Sequence, residues 1–164
     1  MDSRCCAYSY LNEDSAMCDY EIATDQLASM ISVAKHSIKH IDKKELEHLI
    51  ELVYHANGSI RGKLAITEED LSWVASLYDK YNQELKMFVL PDGCIGASHL
   101  HVLRSNCKQI VRLIVLIQKE GITVNELIYN LFNLLSNTFF QMALYENRLE
   151  NIPEVEFKSK SYGC

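Results

Sequence analysis

The chain has 164 residues, of which 48% are hydrophobic and 23% charged, with a formal net charge of −6 at pH 7. That balance suits one soluble globular domain and excludes both a basic nucleic-acid binder and a binder of anionic lipid. Two prolines and six glycines are too few for a turn-rich β protein, so helices are expected.

The opening residues, MDSRCCAYSY, lack the apolar core of a signal peptide, and no apolar run is long enough to span a bilayer. The chain therefore reads as cytosolic. Cys5, Cys6, Cys18, Cys94, Cys107 and Cys164 are then expected to be free thiols rather than bridges or zinc ligands.

The first predicted helix covers Tyr20 to Ile41, with Leu27, Ile31, Ala34, Ile38 and Ile41 on one face. His36 and His40 have the i, i+4 spacing of a metal pair but read as a solvated face. Asp42 restarts the pattern as an N-cap, with Glu45 placed for a capping box. Leu46, Leu49, Ile50 and Val53 then form the buried stripe. Gly58 and Gly62 weaken the end of this second helix. Thr67 and Asp70 predict the start of a third, striped by Leu71, Val74, Tyr78 and Tyr81. Pro91, Asp92 and Gly93 form a break.

A fourth helix is predicted from about Ala97. Leu100, Leu103, Cys107, Ile110, Ile114 and Ile117 step by three and four, the seam of a helix packed along its length. Gly121 ends it. A fifth runs from about Val124 to Leu149, and the tail over 151–164 reads as an extended or partly disordered arm. Residues 1–164 thus form a single all-α, five-helix domain. Periodicity alone assigns it no chemistry.

Short motifs carry the argument further. ATDQLASMI, ITEEDLSWVASLYDKYNQEL, FVLPDG, LHVLRSNCKQIVRL and LFNLLSNTFF occur in that order. Each resembles a segment of the trimeric, propanediol-utilisation type of ATP:cob(I)alamin adenosyltransferase. The resemblance covers about Tyr20 to Asn147. It implies a five-helix bundle, a homotrimer and sites between subunits, where reduced cobalt of a corrinoid attacks the ribose 5′ carbon of ATP and displaces triphosphate. The protein's part is to hold both substrates in line and to keep the lower axial ligand off cobalt.

By the same resemblance, Phe88 falls on the aromatic beneath the corrin. Asp25 and Arg104 fall on a carboxylate–guanidinium pair that joins two subunits, and His101 falls on the L-H position. The residues alone leave open whether Phe88 is core, whether Asp25 and Arg104 are solvated charges, and whether His101 is structural. Cys94 is a thiol within reach of a ligand or a plain buried one.

The nucleotide side departs from the family pattern. A glycine-rich segment whose amides wrap phosphates is expected near the N-terminus. Residues 1–19 instead contain no glycine or lysine and only Arg4 as a cation, and Glu13, Asp14, Asp19 and Glu21 stand in or beside them. On the fourth helix R-R-A-E has become Lys108, Gln109, Ile110 and Val111. On the fifth, Leu134 and Asn137 replace an arginine and an aspartate, while Asn133 and Ser136 remain.

The expected ligand is therefore cobalamin or a related corrinoid, with binding of ATP and magnesium in doubt. The first expectation is a corrinoid-binding relative that stores, delivers or senses its ligand without efficient transfer. Two alternatives stay open. One is an active transferase using Lys108, Arg112, Arg4 and Asn133. The other is a ligand-free structural partner of a corrinoid enzyme.

Overall fold

A computed structural model describes residues 2–161. Cys164 and the end of the tail lie outside the described residues. Five α-helices follow a single 3₁₀ turn at Ser3–Cys5: α1 (Ala16–Ser37), α2 (Lys43–Ser59), α3 (Glu68–Tyr81), α4 (Ile95–Lys119) and α5 (Glu126–Leu149). Helix α1 lies between α2 and α4, and α5 lies between α4 and α3. All five contribute to one apolar cluster.

The α4 seam behaves as its spacing predicts. Leu100, Leu103, Cys107, Ile110, Ile114 and Ile117 are all fully buried. Burial pushes the Cys107 thiol well above its ordinary range, so it is an inert core residue. Thr67 caps α3 through a complete capping box with Asp70. On α3, Leu77 joins Val74 and Tyr81 in the core, while Leu71 and Tyr78 are only partly covered.

Several boundaries differ from the sequence reading, each for a local reason. Helix α1 starts at Ala16, inside the segment read as divergent, because Ser15 caps it. The Ser15 hydroxyl also donates to Glu120 Oε2 at 2.7 Å, while the Ala16 N–H donates to Oε1 at 3.0 Å. Helix α4 begins at Ile95, where the Cys94 Sγ accepts from the Ala97 N–H at 3.4 Å. Asp42 caps α2 as expected, but Glu45 does not close a capping box. Its carboxylate is drawn across to α3, where Lys80 Nζ and the Tyr81 hydroxyl donate to it.

The largest difference is at the end of α1, which stops at Ser37 rather than continuing to Ile41. A buried carboxylate on α5 takes the backbone there. Glu146, 1% exposed, accepts from the N–H groups of Lys39 (3.2 Å), His40 (2.8 Å) and Ile41 (3.1 Å). One turn further on, Glu150 accepts from Lys39 Nζ at 2.6 Å and pairs with His40 Nε2 at 2.7 Å. His40 is thus engaged with a carboxylate.

Replacing Glu146 by Ala strands three backbone donors, that of Ile41 buried and those of Lys39 and His40 partly so. The expected loss is roughly 3 kcal/mol of unfolding free energy, read as a lower urea midpoint at unchanged slope. Glu146→Gln keeps one carbonyl acceptor and should lose less.

Candidate functional site

The α3–α4 connection is built by hydrogen bonds that leave little freedom. Its start is anchored to α5, because the Gln83 N–H donates to Gln141 Oε1 at 2.7 Å. Its end is held by Asn147, which is fully buried on α5. Asn147 Nδ2 donates to the Asp92 carbonyl and to Glu154 Oε1, both at 2.9 Å, and its Oδ1 accepts from the Cys94 N–H at 3.0 Å. Gly93 sits against this carboxamide with φ +131°, and a Cβ there would lie 2.0 Å from Asn147 Oδ1. Only glycine fits, for both reasons. Burial holds the Glu154 carboxyl above its ordinary range, partly offset by the Asn147 amide.

Between these anchors the chain pairs with the tail. Val89 and Glu156 form an antiparallel bridge, flanked by Leu90 N–H to Val155 O at 2.9 Å and Phe157 N–H to Phe88 O at 2.8 Å. Of the two readings of the tail, an extended arm or a partly disordered one, this pairing fits the extended arm over 155–157. Side chains alternate along a strand, and residues opposite each other share a face. Phe88, Leu90, Val155 and Phe157 consequently share one face, and all four are exposed. Phe88 is the extreme, at 84%. It is not core. Four large apolar side chains in water on one short ribbon form an unpartnered apolar surface.

Beside the ribbon lies a cavity of about 330 Å³, lined among others by Met87, Phe88, Arg104, Phe140 and Gln141. Arg104 lies with its guanidinium carbon 5.3 Å from the Phe140 ring centre. Its Nε is buried without an acceptor, and burial pulls its pKa below the ordinary range. Ser136 donates its hydroxyl to the Arg104 carbonyl at 3.2 Å, fixing α4 on α5 at this level.

His101, 3% exposed, lies below the same ring, with ring centres 6.0 Å apart. Neither of its nitrogens has a partner. Burial, reinforced by the nearby Arg104 charge, lowers its pKa to about 4 against the opposing influence of Asp92. It is a neutral imidazole at neutral pH.

The other expected site residues lie apart from this cavity's lining. Lys108 is exposed on α4, and Arg104, Lys108 and Arg112 recur at i, i+4, i+8 as a cationic column. Asn133 is partly buried and spends its amide on the Tyr129 carbonyl of its own helix at 3.0 Å. Asp25 is exposed on α1, where it accepts from the Tyr54 hydroxyl of α2. Within one chain, then, Phe88 and Arg104 share a cavity and Asp25 lines another.

Sequence reasoning missed Asn147, Phe140, Gln141 and the tail's contribution. The tail did carry a signal. Glu154, Val155, Glu156 and Phe157 alternate polar and apolar, the period of a strand.

The N-terminal segment is shaped by Arg61 of α2. Its guanidinium stacks 4.0 Å from the Tyr10 ring centre, pairs with Glu13 at 2.7 Å and donates from Nε to Glu21 at 2.6 Å. These acids, foremost Glu21, hold Arg61 above its ordinary range. The segment that stands where the family pattern has a phosphate cradle is thus folded around an arginine that is paired with carboxylates.

The site defines an all-α bundle whose helix-linking loop displays an aromatic beside a part-buried arginine, and comparison with known proteins gives its family. A family model described as cobalamin adenosyltransferase matches residues 4–146. The corrinoid adenosyltransferase of Citrobacter freundii is 25% identical over 159 residues, covering 90% of this chain and 88% of that protein. That of Bacillus subtilis is 33% identical over 96 residues, 57% of this chain, and the match spans 49% of the relative.

Among solved structures, a variant PduO-type ATP:corrinoid adenosyltransferase from Lactobacillus reuteri, complexed with cobalamin and ATP, superposes with a TM-score of 0.81 at 25% identity over 90% of this chain and 88% of that one. Another variant of the same protein, complexed with ATP, gives 0.79 at 26% identity, covering 89% of each chain. The chain belongs to the cobalamin adenosyltransferase family.

The unpaired His101 makes a pH prediction. The unfolded imidazole takes a proton near its ordinary 6.5 and the folded one only near 4, so protons favour the unfolded chain. Stability is fully present above about pH 6.5 and falls as pH drops towards 4. Urea midpoints measured across that window should fall less steeply for His101→Asn than for the unsubstituted protein.

Proposed function

We propose that this protein binds a corrinoid at the apolar ribbon beside Arg104, and that it transfers adenosyl poorly because its nucleotide side is altered. The observation that carries the reading is the outward face of Phe88, Leu90, Val155 and Phe157, held rigid by the Asn147 clamp. A flat macrocycle would cover that face, and Phe88 would fill the space below its metal, where a lower axial ligand would otherwise sit. The cobalamin carried by the similar Lactobacillus protein supports this ligand class.

Arg104 has an unpaired, part-buried guanidinium. In a trimer of the expected kind, Asp25 of a neighbouring copy would supply the missing carboxylate through paired hydrogen bonds. His101, neutral and packed under Phe140, would serve as apolar support behind the site rather than as a cobalt ligand. Storage, delivery to a corrinoid-dependent enzyme and sensing all fit such a protein, working as a soluble protein of the cytoplasm.

The nucleotide side argues for weak transfer. Polyphosphate needs converging amides or cations. Residues 2–15 instead bring Glu13 onto Arg61, and that arginine's charge is already matched by Glu13 and Glu21. A second reading, an active adenosyltransferase, is favoured by one observation. The column of Arg104, Lys108 and Arg112 offers point charges to phosphate, and both solved relatives cited above carry ATP.

Visible-absorption titration with cob(II)alamin tests the main reading. A perturbed corrin spectrum is expected, and Phe88→Ala should weaken binding by roughly ten- to a hundredfold, the worth of one buried aromatic. Unchanged corrin bands would leave only the structural-partner role. Formation of adenosylcobalamin from ATP and reduced cobalamin at a rate typical of enzymes, about 1 s⁻¹ or more, would establish the second reading instead.

A further inference from the structure

The tail is joined to the α3–α4 connection by few bonds. Two backbone hydrogen bonds flank the Val89–Glu156 bridge, and Val155 and Phe157 remain 48% and 49% exposed. Docking leaves these apolar side chains half in water, and a two-stranded ribbon so short is marginal without support. The support comes from one side chain. Glu154, part-buried, accepts from Asn147 Nδ2 at 2.9 Å, the same nitrogen that donates to the Asp92 carbonyl. Docked and free tail are thus two states that differ in what surrounds this carboxylate.

Those surroundings disfavour its charge. From α5 Glu154 meets the neutral Asn147 amide, and from the α3–α4 turn it feels the Asp92 carboxylate. His101, which Asp92 also influences, is neutral at neutral pH. On the tail itself, Glu156 lies 3.8 Å from Lys158. No cation offsets the Glu154 charge among the described residues. A carboxylate that loses water and gains a like charge, with one amide in compensation, holds its proton more tightly docked than free.

We infer that Glu154 is a proton-sensitive hook, which docks the tail on Asn147 when protonated and loosens it when ionised, and so positions Val155 and Phe157 for the ligand. The positioning role rests on the corrinoid reading proposed above, whereas the hook does not. The free carboxyl titrates near its ordinary 4.5 and the docked one higher. Burial raises it, the Asn147 amide partly offsets this, and Asp92 adds to it. The favourable contribution to docking is complete below about pH 4.5 and is lost as pH rises through the docked value. A ligand that needs the docked tail then binds with an affinity scaled by the docked fraction.

Two measurements separate the hook from the ligand. Without ligand, amide hydrogen exchange at Leu90 and Phe157 is followed from about pH 5 to 7.5 and corrected for the intrinsic pH dependence of exchange, with the core amide of Leu103 as reference for the fold. The affinity for cob(II)alamin is measured by absorption over the same range. In the unsubstituted chain, protection and affinity both fall as pH rises, each by roughly three- to tenfold, the range that one side-chain hydrogen bond contributes. His101 cannot produce this trend, since protons there favour the unfolded chain. Glu154→Gln keeps the acceptor and removes the charge, so both profiles become flat at the protected, tight-binding end. Asp92→Asn keeps an oxygen for the Gly93 N–H and moves both profiles to lower pH. Glu154→Ala loses protection and affinity at every pH.

A contact with no proton sensitivity would make Glu154→Gln and Glu154→Ala alike, and that result overturns the inference. So does a Glu154→Gln variant whose exchange keeps the pH profile of the unsubstituted chain. Unperturbed corrin bands in all four proteins, with exchange still following Glu154, overturn the corrinoid reading and leave the hook in place.

Discussion

Two neighbouring polar residues near the end of α5, Glu146 and Asn147, hold the molecule's connections in place. Both are buried, and neither pairs with another side chain on its own helix. Glu146 gathers the backbone N–H groups that end α1, and Asn147 gathers the Asp92 carbonyl, the Cys94 N–H and the Glu154 carboxylate. A buried polar group is stabilising only when its bonds are complete. Here completeness requires the α1–α2 loop, the α3–α4 turn and the tail to be present together. Helices packed by apolar seams can slide by a turn at modest cost. A carboxamide with three fixed partners cannot.

That constraint explains why an aromatic as large as Phe88 faces solvent. Buried, it would gain about 2 kcal/mol or more. The backbone on either side is not free to turn it inward, because Gln83 is tied to α5, Leu90 and Phe88 are bonded to the tail, and Gly93 is pressed against Asn147. The exposed face is therefore a product of polar bonds some distance from it. The electrostatics divide in the same way. The ribbon side carries apolar surface and the under-paired Arg104, whereas the α1–α2 side carries Glu21 and Asp25.

What could be read from the sequence was whatever depends on neighbours three or four residues apart. The α4 seam, the Thr67–Asp70 box and the Gly121 stop are of that kind, and all stand in the structure. Bonds to residues far along the chain leave no periodic trace. Glu45 has the spacing of a local cap and serves Lys80 and Tyr81 instead. Glu146 and Asn147 look like the solvated end of a helix and are its most constrained residues. The motif order carried the family across that gap and singled out Phe88 and Arg104, which the structure finds lining one cavity. It did not foresee that Asn133 would be spent on its own helix or that the tail would complete the ribbon.

The pairing of Val89 with Glu156 joins segments separated by the whole of α4 and α5. During synthesis, the stretch around Phe88 leaves the ribosome long before its partner exists. Until Val155 and Phe157 arrive, that stretch has neither a backbone mate nor its companion side chains. The exposed apolar face, as a set of four side chains on two paired segments, therefore comes into being only after residues 155–157 have been made.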